Sequence, residues 1–125
     1  MWNGIHKIIS AFLVFLCLTT AVCAQKAQNN FIIEGIKMYD KGDFEGALEM
    51  YKKALTSNPA SVQAKYEIAS AYLQLKDYTN AIKYSNKVIA VNKDFVDQAY
   101  ILKGTARDDL LKPREATNTY KQAIK

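Results

Sequence analysis

The segment Gly42-Asp43-Phe44-Glu45-Gly46-Ala47-Leu48 recurs 34 residues later as Lys76-Asp77-Tyr78-Thr79-Asn80-Ala81-Ile82. It recurs again, after a further 35, as Leu111-Lys112-Pro113-Arg114-Glu115-Ala116-Thr117. Upstream small residues keep the same period: Gly35, Ala69 and Gly104 each precede the segment's alanine by 12 residues. Three copies that agree in spacing, turn and apolar face mark an internal repeat, and a repeat of this length is one supersecondary unit that cannot bury its apolar face alone.

Each copy reads as two helices. In the first, Phe31, Gly35 and Met38 share a face at helical spacing. Gly42-Asp43 breaks that helix, because Gly accepts a left-handed cap and Asp43 can cap the next helix start. The second helix carries the stripe Phe44, Ala47, Leu48, Tyr51, Ala54 and Leu55, and Asn58-Pro59 stops it. The second copy repeats this with Ile68, Ala69 and Tyr72, then Tyr78, Ala81, Ile82, Val88 and Ile89. The third has Tyr100 and Gly104, then Pro113 at a helix start, where its missing N–H costs nothing. No alternating apolar run and no hairpin dipeptide marks a strand.

With these residues in place, the sequence resembles the tetratricopeptide repeat family over residues 28–125. The first copy has Gly35, Gly42, Phe44, Ala47, Tyr51, Ala54 and Pro59 where that pattern expects them. The second departs at Lys65, Ser85 and Lys93, and the third at Lys103, Arg107 and Leu111. The resemblance implies an all-α fold, a right-handed superhelical stack of antiparallel helix pairs with about three repeats, at 28–61, 62–96 and 97–125. Each pair would touch only its neighbours.

Residues 1–24 read as an export signal. Lys7 opens it, residues 8–18 are apolar, and Ala21-Val22-Cys23-Ala24 offers small residues for a cut after Ala24. The alternative is an uncleaved anchor, but residues 8–24 include Ser10, Thr19 and Thr20 and sit at the short limit of the roughly 17–25 needed to span a bilayer. Lipidation of Cys23 is a third reading, against which bulky Val22 stands. Membrane association is expected only in those two cases. The expected location is therefore outside the cytoplasm, periplasmic or extracellular.

The whole chain carries 17 Lys and Arg against 12 Asp and Glu, a net charge of +5. Removing residues 1–24 takes Lys7, both cysteines, the one His and the one Trp, and leaves 16 basic against 12 acidic groups, +4. That excludes disulfide frameworks, Cys/His metal sites and Cys–His or Ser–His catalysis from the remainder. Asp108 and Asp109 are adjacent, so on a helix they point about 100° apart and make no acid–base pair. Basic residues are interleaved with acids, and no Gly-rich phosphate loop occurs. No enzyme activity, cofactor, metal, small-molecule substrate or nucleic-acid partner is expected. The surplus charge is read as solubility and weak steering.

The expected partner is a protein or peptide. The resemblance implies that the first helix of each pair lines a concave groove, through Asn29, Ile32, Ile33, Ile36, Tyr39 and Asp40; Gln63, Tyr66, Glu67, Ser70, Leu73 and Gln74; and Gln98, Ile101, Leu102, Thr105, Asp108 and Asp109. Ile32, Ile36, Tyr39, Tyr66, Leu73 and Ile101 form an apolar row edged by Glu67 and Asp108. A row of this kind marks a peptide-binding site, or else it completes the core. Some members of the family hold the C-terminal carboxylate of chaperone tails with Lys, Asn and Arg. The matching positions here are Ile32, Ile36, Glu67, Gln98 and Leu102, so acidic chaperone-type tails are not expected to bind. Lys125 falls within the last helix with no capping helix after it. This face would be covered by homo-oligomerisation through the last repeat or by a partner, or the chain is the N-terminal interaction module of a longer exported protein whose activity lies beyond residue 125.

Overall fold

The structure, a computed structural model, describes residues 2–91 and 94–124 and contains six α-helices among them: α1 (Trp2–Asp40), α2 (Phe44–Ser57), α3 (Val62–Gln74), α4 (Tyr78–Val91), α5 (Val96–Asp109) and α6 (Pro113–Ala123). Among the described residues there is no strand. Consecutive helices pack on one another, and α3 also touches α5, as stacked pairs require. Lys93 and Lys125, singled out in the sequence, lie outside the described residues.

The three turns inside the pairs are built alike. Gly42, Lys76 and Leu111 all adopt a left-handed conformation, with φ of 81°, 59° and 58°. The amide of the next residue reaches back to a carbonyl of the preceding helix in each turn: Asp43 to Met38, Asp77 to Tyr72, Lys112 to Arg107. These bonds satisfy carbonyls that the helix end leaves open. Only the first turn uses Gly, so Lys76 and Leu111 carry the cost of a left-handed side-chain-bearing residue, about 1–2 kcal/mol each. Asp43 caps α2 by accepting from the Gly46 amide at 2.9 Å, as its position predicts, and Asp77 does the same for the Asn80 amide at 3.1 Å. Lys112 supplies no cap, and α6 begins on Pro113.

The core follows the repeat. Ala47, Leu48, Tyr51, Ile68 and Ala71 form the main buried cluster, with Met38, Tyr39, Leu55, Tyr72, Leu75 and Tyr84 around it. The small residues permit close approach. A Cβ built on Gly35 would stand 2.5 Å from the Tyr51 ring, and one on Gly104 would run into the Tyr120 ring. The second repeat has Ala69 and Ser85 at the equivalent positions, both fully buried. The departure at Ser85 is thus matched by a larger partner position, and its hydroxyl donates to the Ala81 carbonyl at 2.8 Å. Arg107, the other departure, donates from Nη1 to Thr119 Oγ1 at 2.6 Å and lies 3.5 Å from Glu115, joining α5 to α6 by polar contacts where an apolar side chain was expected. Lys103 beside it is half-buried, and burial, with Arg107 adding repulsion, lowers its ammonium pKa.

Residues 1–24, read as an export signal, and the start of the first repeat at residue 28 lie on one continuous helix, Trp2–Asp40. No proline occurs in that stretch to interrupt it. The packed part of α1 is fixed by Gln28, which is buried. Its amide nitrogen donates to Ser61 Oγ at 2.8 Å and its carbonyl accepts from Asn58 Nδ2 at 2.8 Å. Ser61 in turn caps α3, accepting from the Ala64 amide at 3.1 Å.

Candidate functional site

The first helix of each pair carries the side chains that the resemblance assigns to the inner row, and the structure gives their exposure. Ile36 on α1 is 37% exposed and Ile101 on α5 is 51% exposed. Tyr39, Tyr66 and Leu73 between them are half-buried. Exposing branched aliphatic side chains on helices that already have a buried face is what an interaction surface looks like.

Three contacts hold this row in shape. Tyr39 Oη and Ser70 Oγ share a hydrogen bond at 3.0 Å, which bridges α1 and α3. The Tyr39 ring also meets Phe44 edge-on, with centroids 5.0 Å apart. Tyr66 stacks on Phe95, centroids 5.0 Å apart and planes 20° from parallel. Phe95 takes a left-handed conformation, φ 65°, just before α5. The ring pair, worth about 0.5–1.5 kcal/mol, offsets part of that backbone cost. Phe95 is absent from the sequence-derived row. Its only signal is an aromatic directly ahead of a helix, which spacing alone does not connect to Tyr66.

Glu67 is the electrostatic centre of the row. It is half-buried, and burial raises its carboxyl pKa above the ordinary value. It forms no hydrogen bond and no ion pair among the described residues. Its charge is felt by two phenols: Tyr51 and Tyr66 are both raised, first by burial and next by Glu67, with Tyr39 contributing to each. Glu67 therefore sits close to Tyr66 and Tyr51. Asp108 differs, because Tyr120 Oη donates to its Oδ2 at 3.3 Å and ties it to α6.

Ile32 corrects the sequence reading. It is only 3% exposed and clusters with buried Ala54 and Ala64, with Phe31 and Leu55 against them. It fills the seam where α1 meets α2 and α3, so core completion holds for this residue and it does not line the surface. The remaining residues proposed from sequence, Ile36, Tyr39, Tyr66, Glu67, Leu73, Ile101 and Asp108, all retain some exposure. Among the described residues, no group of His, Cys, Asp or Glu side chains is arranged to hold a metal ion. A shallow cleft lined by Ala21, Ala24, Gln25, Ser57, Asn58 and Pro59 is formed by other residues, where α1 passes the α2–α3 turn.

Comparison with known proteins places this geometry. Residues 36–94 match the family profile of the tetratricopeptide repeat. Over 91 residues, 73% of its length, the chain is 30% identical to human RNA polymerase II-associated protein 3 and 29% identical to the Hsp70-Hsp90 organising protein of Plasmodium falciparum. It spans 14% of the first and 36% of the second. The TPR domain of Arabidopsis OM64 superposes with a TM-score of 0.76 at 24% identity, covering 81% of this chain and 83% of that one. The first TPR of Spaghetti (RPAP3), solved bound to the HSP90 peptide SRMEEVD, superposes with a TM-score of 0.74 at 27% identity, covering 80% and 79%. The fold is a tetratricopeptide-repeat solenoid, a right-handed superhelical stack of antiparallel helix pairs.

Proposed function

We propose that this protein is a non-catalytic scaffold that binds a peptide or protein segment along the inner row of its solenoid, outside the cytoplasm. The observation that carries the reading is the exposed apolar row, Ile36 and Ile101 flanking Tyr39, Tyr66 and Leu73, on the helices that the fold turns inward. The Spaghetti (RPAP3) domain of the same fold, which holds a peptide, supports a peptide as the class of ligand. Binding comes from burial of that row, worth roughly 25 cal/mol per Å² of apolar area removed from water before ordering costs are subtracted. No cofactor, metal, nucleic acid or small-molecule substrate enters this reading.

The test is selection of 12-residue peptides from a random display library against the purified protein, followed by fluorescence anisotropy on the enriched sequences. Micromolar binding that Ile36→Ser and Ile101→Ser each weaken by about tenfold or more, about 1.4 kcal/mol, is expected. Enriched peptides indifferent to both substitutions would remove the groove from the proposal.

Export rests on the N-terminal segment. α1 includes a stretch with a mean hydropathy of 2.2, long and apolar enough to cross a membrane, with none of it buried in the fold. That property is shared by export signals and anchors. N-terminal sequencing of the protein from its source cells should begin at Gln25. A cytoplasmic protein with an intact N-terminus would refute export.

A further inference from the structure

The residues that the resemblance assigns to the inner row have a charge pattern opposite to that of the chain. They include Asp40, Glu67, Asp108 and Asp109 and no lysine or arginine, on a protein whose net charge is +5. Asp108 is held by Tyr120, and Asp40 and Asp109 are exposed to solvent. Glu67 is the one of these four that is half-buried, and it has no hydrogen-bond or ion-pair partner among the described residues. It lies in the middle of the apolar row, next to Tyr66 in sequence and one turn before Ser70, which binds Tyr39.

A carboxylate in this position constrains what can cover it. A ligand laid over the row displaces the remaining water from Glu67. Covering it with an apolar or acidic side chain strands a charge, which is costly. Covering it with a cation replaces the lost water by a charge-assisted hydrogen bond. The Tyr66 ring near it offers apolar surface for the methylene stem of a long basic side chain. We propose that the groove takes an extended peptide bearing an arginine or lysine, whose cation pairs with Glu67 while neighbouring apolar side chains lie on Ile36 and Ile101. This inference rests on the peptide-groove reading above and adds the chemistry of the ligand. It also gives the absence of inward-facing cations a purpose: the site rejects acidic tails and accepts basic segments, against the attraction that the overall positive charge exerts on acidic peptides.

The test uses the protein in the form its source cell makes, probed with immobilised degenerate peptide pools. Each pool has one fixed central residue (Arg, Lys, Leu, Glu or Asp). At physiological salt, the Arg and Lys pools are expected to retain at least about fivefold more protein than the Glu and Asp pools. In Glu67→Gln, checked for native helicity by circular dichroism, that ratio should fall to within about twofold. In Glu67→Lys it should invert, and retention on the Leu pool should rise in Glu67→Gln, where an apolar side chain no longer strands a charge. Good retention on the Leu pool without a basic preference in the wild type overturns this inference and leaves the peptide groove standing. A basic preference that survives in Glu67→Gln also overturns it, because the selectivity then resides elsewhere. Retention on no pool at all removes both readings.

Discussion

The small residues of the repeat show how a single atom sets a helix–helix distance. Gly35 faces Tyr51 so closely that a Cβ would stand 2.5 Å from the ring. Gly104 and Tyr120 form the same pair in the third repeat, whereas the second repeat has Ala69 and Ser85. The larger residue has moved from one helix to the other without changing the architecture. Gly35→Ala alone is therefore expected to destabilise the protein by about 1–3 kcal/mol, since a buried ring must shift and overpacking outweighs the gain in helix propensity. In a Tyr51→Ser background, which reproduces the pair of the second repeat, the same substitution should be neutral or stabilising. Denaturant titration of the four proteins gives the coupling, expected near 2 kcal/mol. Additive effects would mean that the helices separate freely at this point and that the glycine serves another purpose.

At the scale of elements, the three repeats act as internal controls for one another. Position 43 is Asp, position 77 is Asp, and position 112 is Lys. The first two accept a hydrogen bond from the amide three residues on, and the third does not. Lys112→Asp would place an acceptor before Pro113 with Glu115 at the third helical position, a capping box. A gain of about 0.5–1 kcal/mol is expected, read as a higher Tm. The substitution gives up only the Lys112–Glu115 pair, 3.9 Å apart and more than half exposed, which contributes little. A Tm that falls would show that α6 does not begin where its proline places it. The helices and their caps were legible because turns and caps are local: Gly42-Asp43, Asn58-Pro59 and Pro113 act through their own backbones. The continuity of α1 was not legible in the same way. The composition of residues 8–24 speaks of export and is silent about whether the backbone bends before residue 28. What fixes the packed part of α1 is Gln28 meeting Ser61 and Asn58, partners about 30 residues away in sequence.

Across the whole molecule, the row was legible to the extent that helical periodicity determines facing. Ile36, Tyr39, Tyr66, Leu73 and Ile101 were named through the family resemblance, and the structure leaves each of them at least partly exposed. Ile32 was misplaced because one turn separates it from Ile36, and the position of α3 decides which of the two is covered. The Tyr66–Phe95 stack needed the turn before α5, whose left-handed residue carries an aromatic instead of a glycine. The same stacking logic governs stability. In a solenoid each element is held mainly by its neighbours, and among the described elements α6 packs chiefly on α5. It buries only Ala116 and Thr119, whereas α2 buries Ala47, Leu48, Tyr51 and Ala54 and is covered by both α1 and α3. Native-state hydrogen exchange is therefore expected to show amides of α6 opening at the lowest free energy, α5 next, and α2 and α3 at the highest. Tyr120→Ala, which empties the site against Gly104 and removes the bond to Asp108, should lower protection in α5 and α6 while leaving α2 and α3 unchanged. Equal loss of protection in all six helices would mean that the stack opens as one cooperative unit and that the inner row is held rigid end to end.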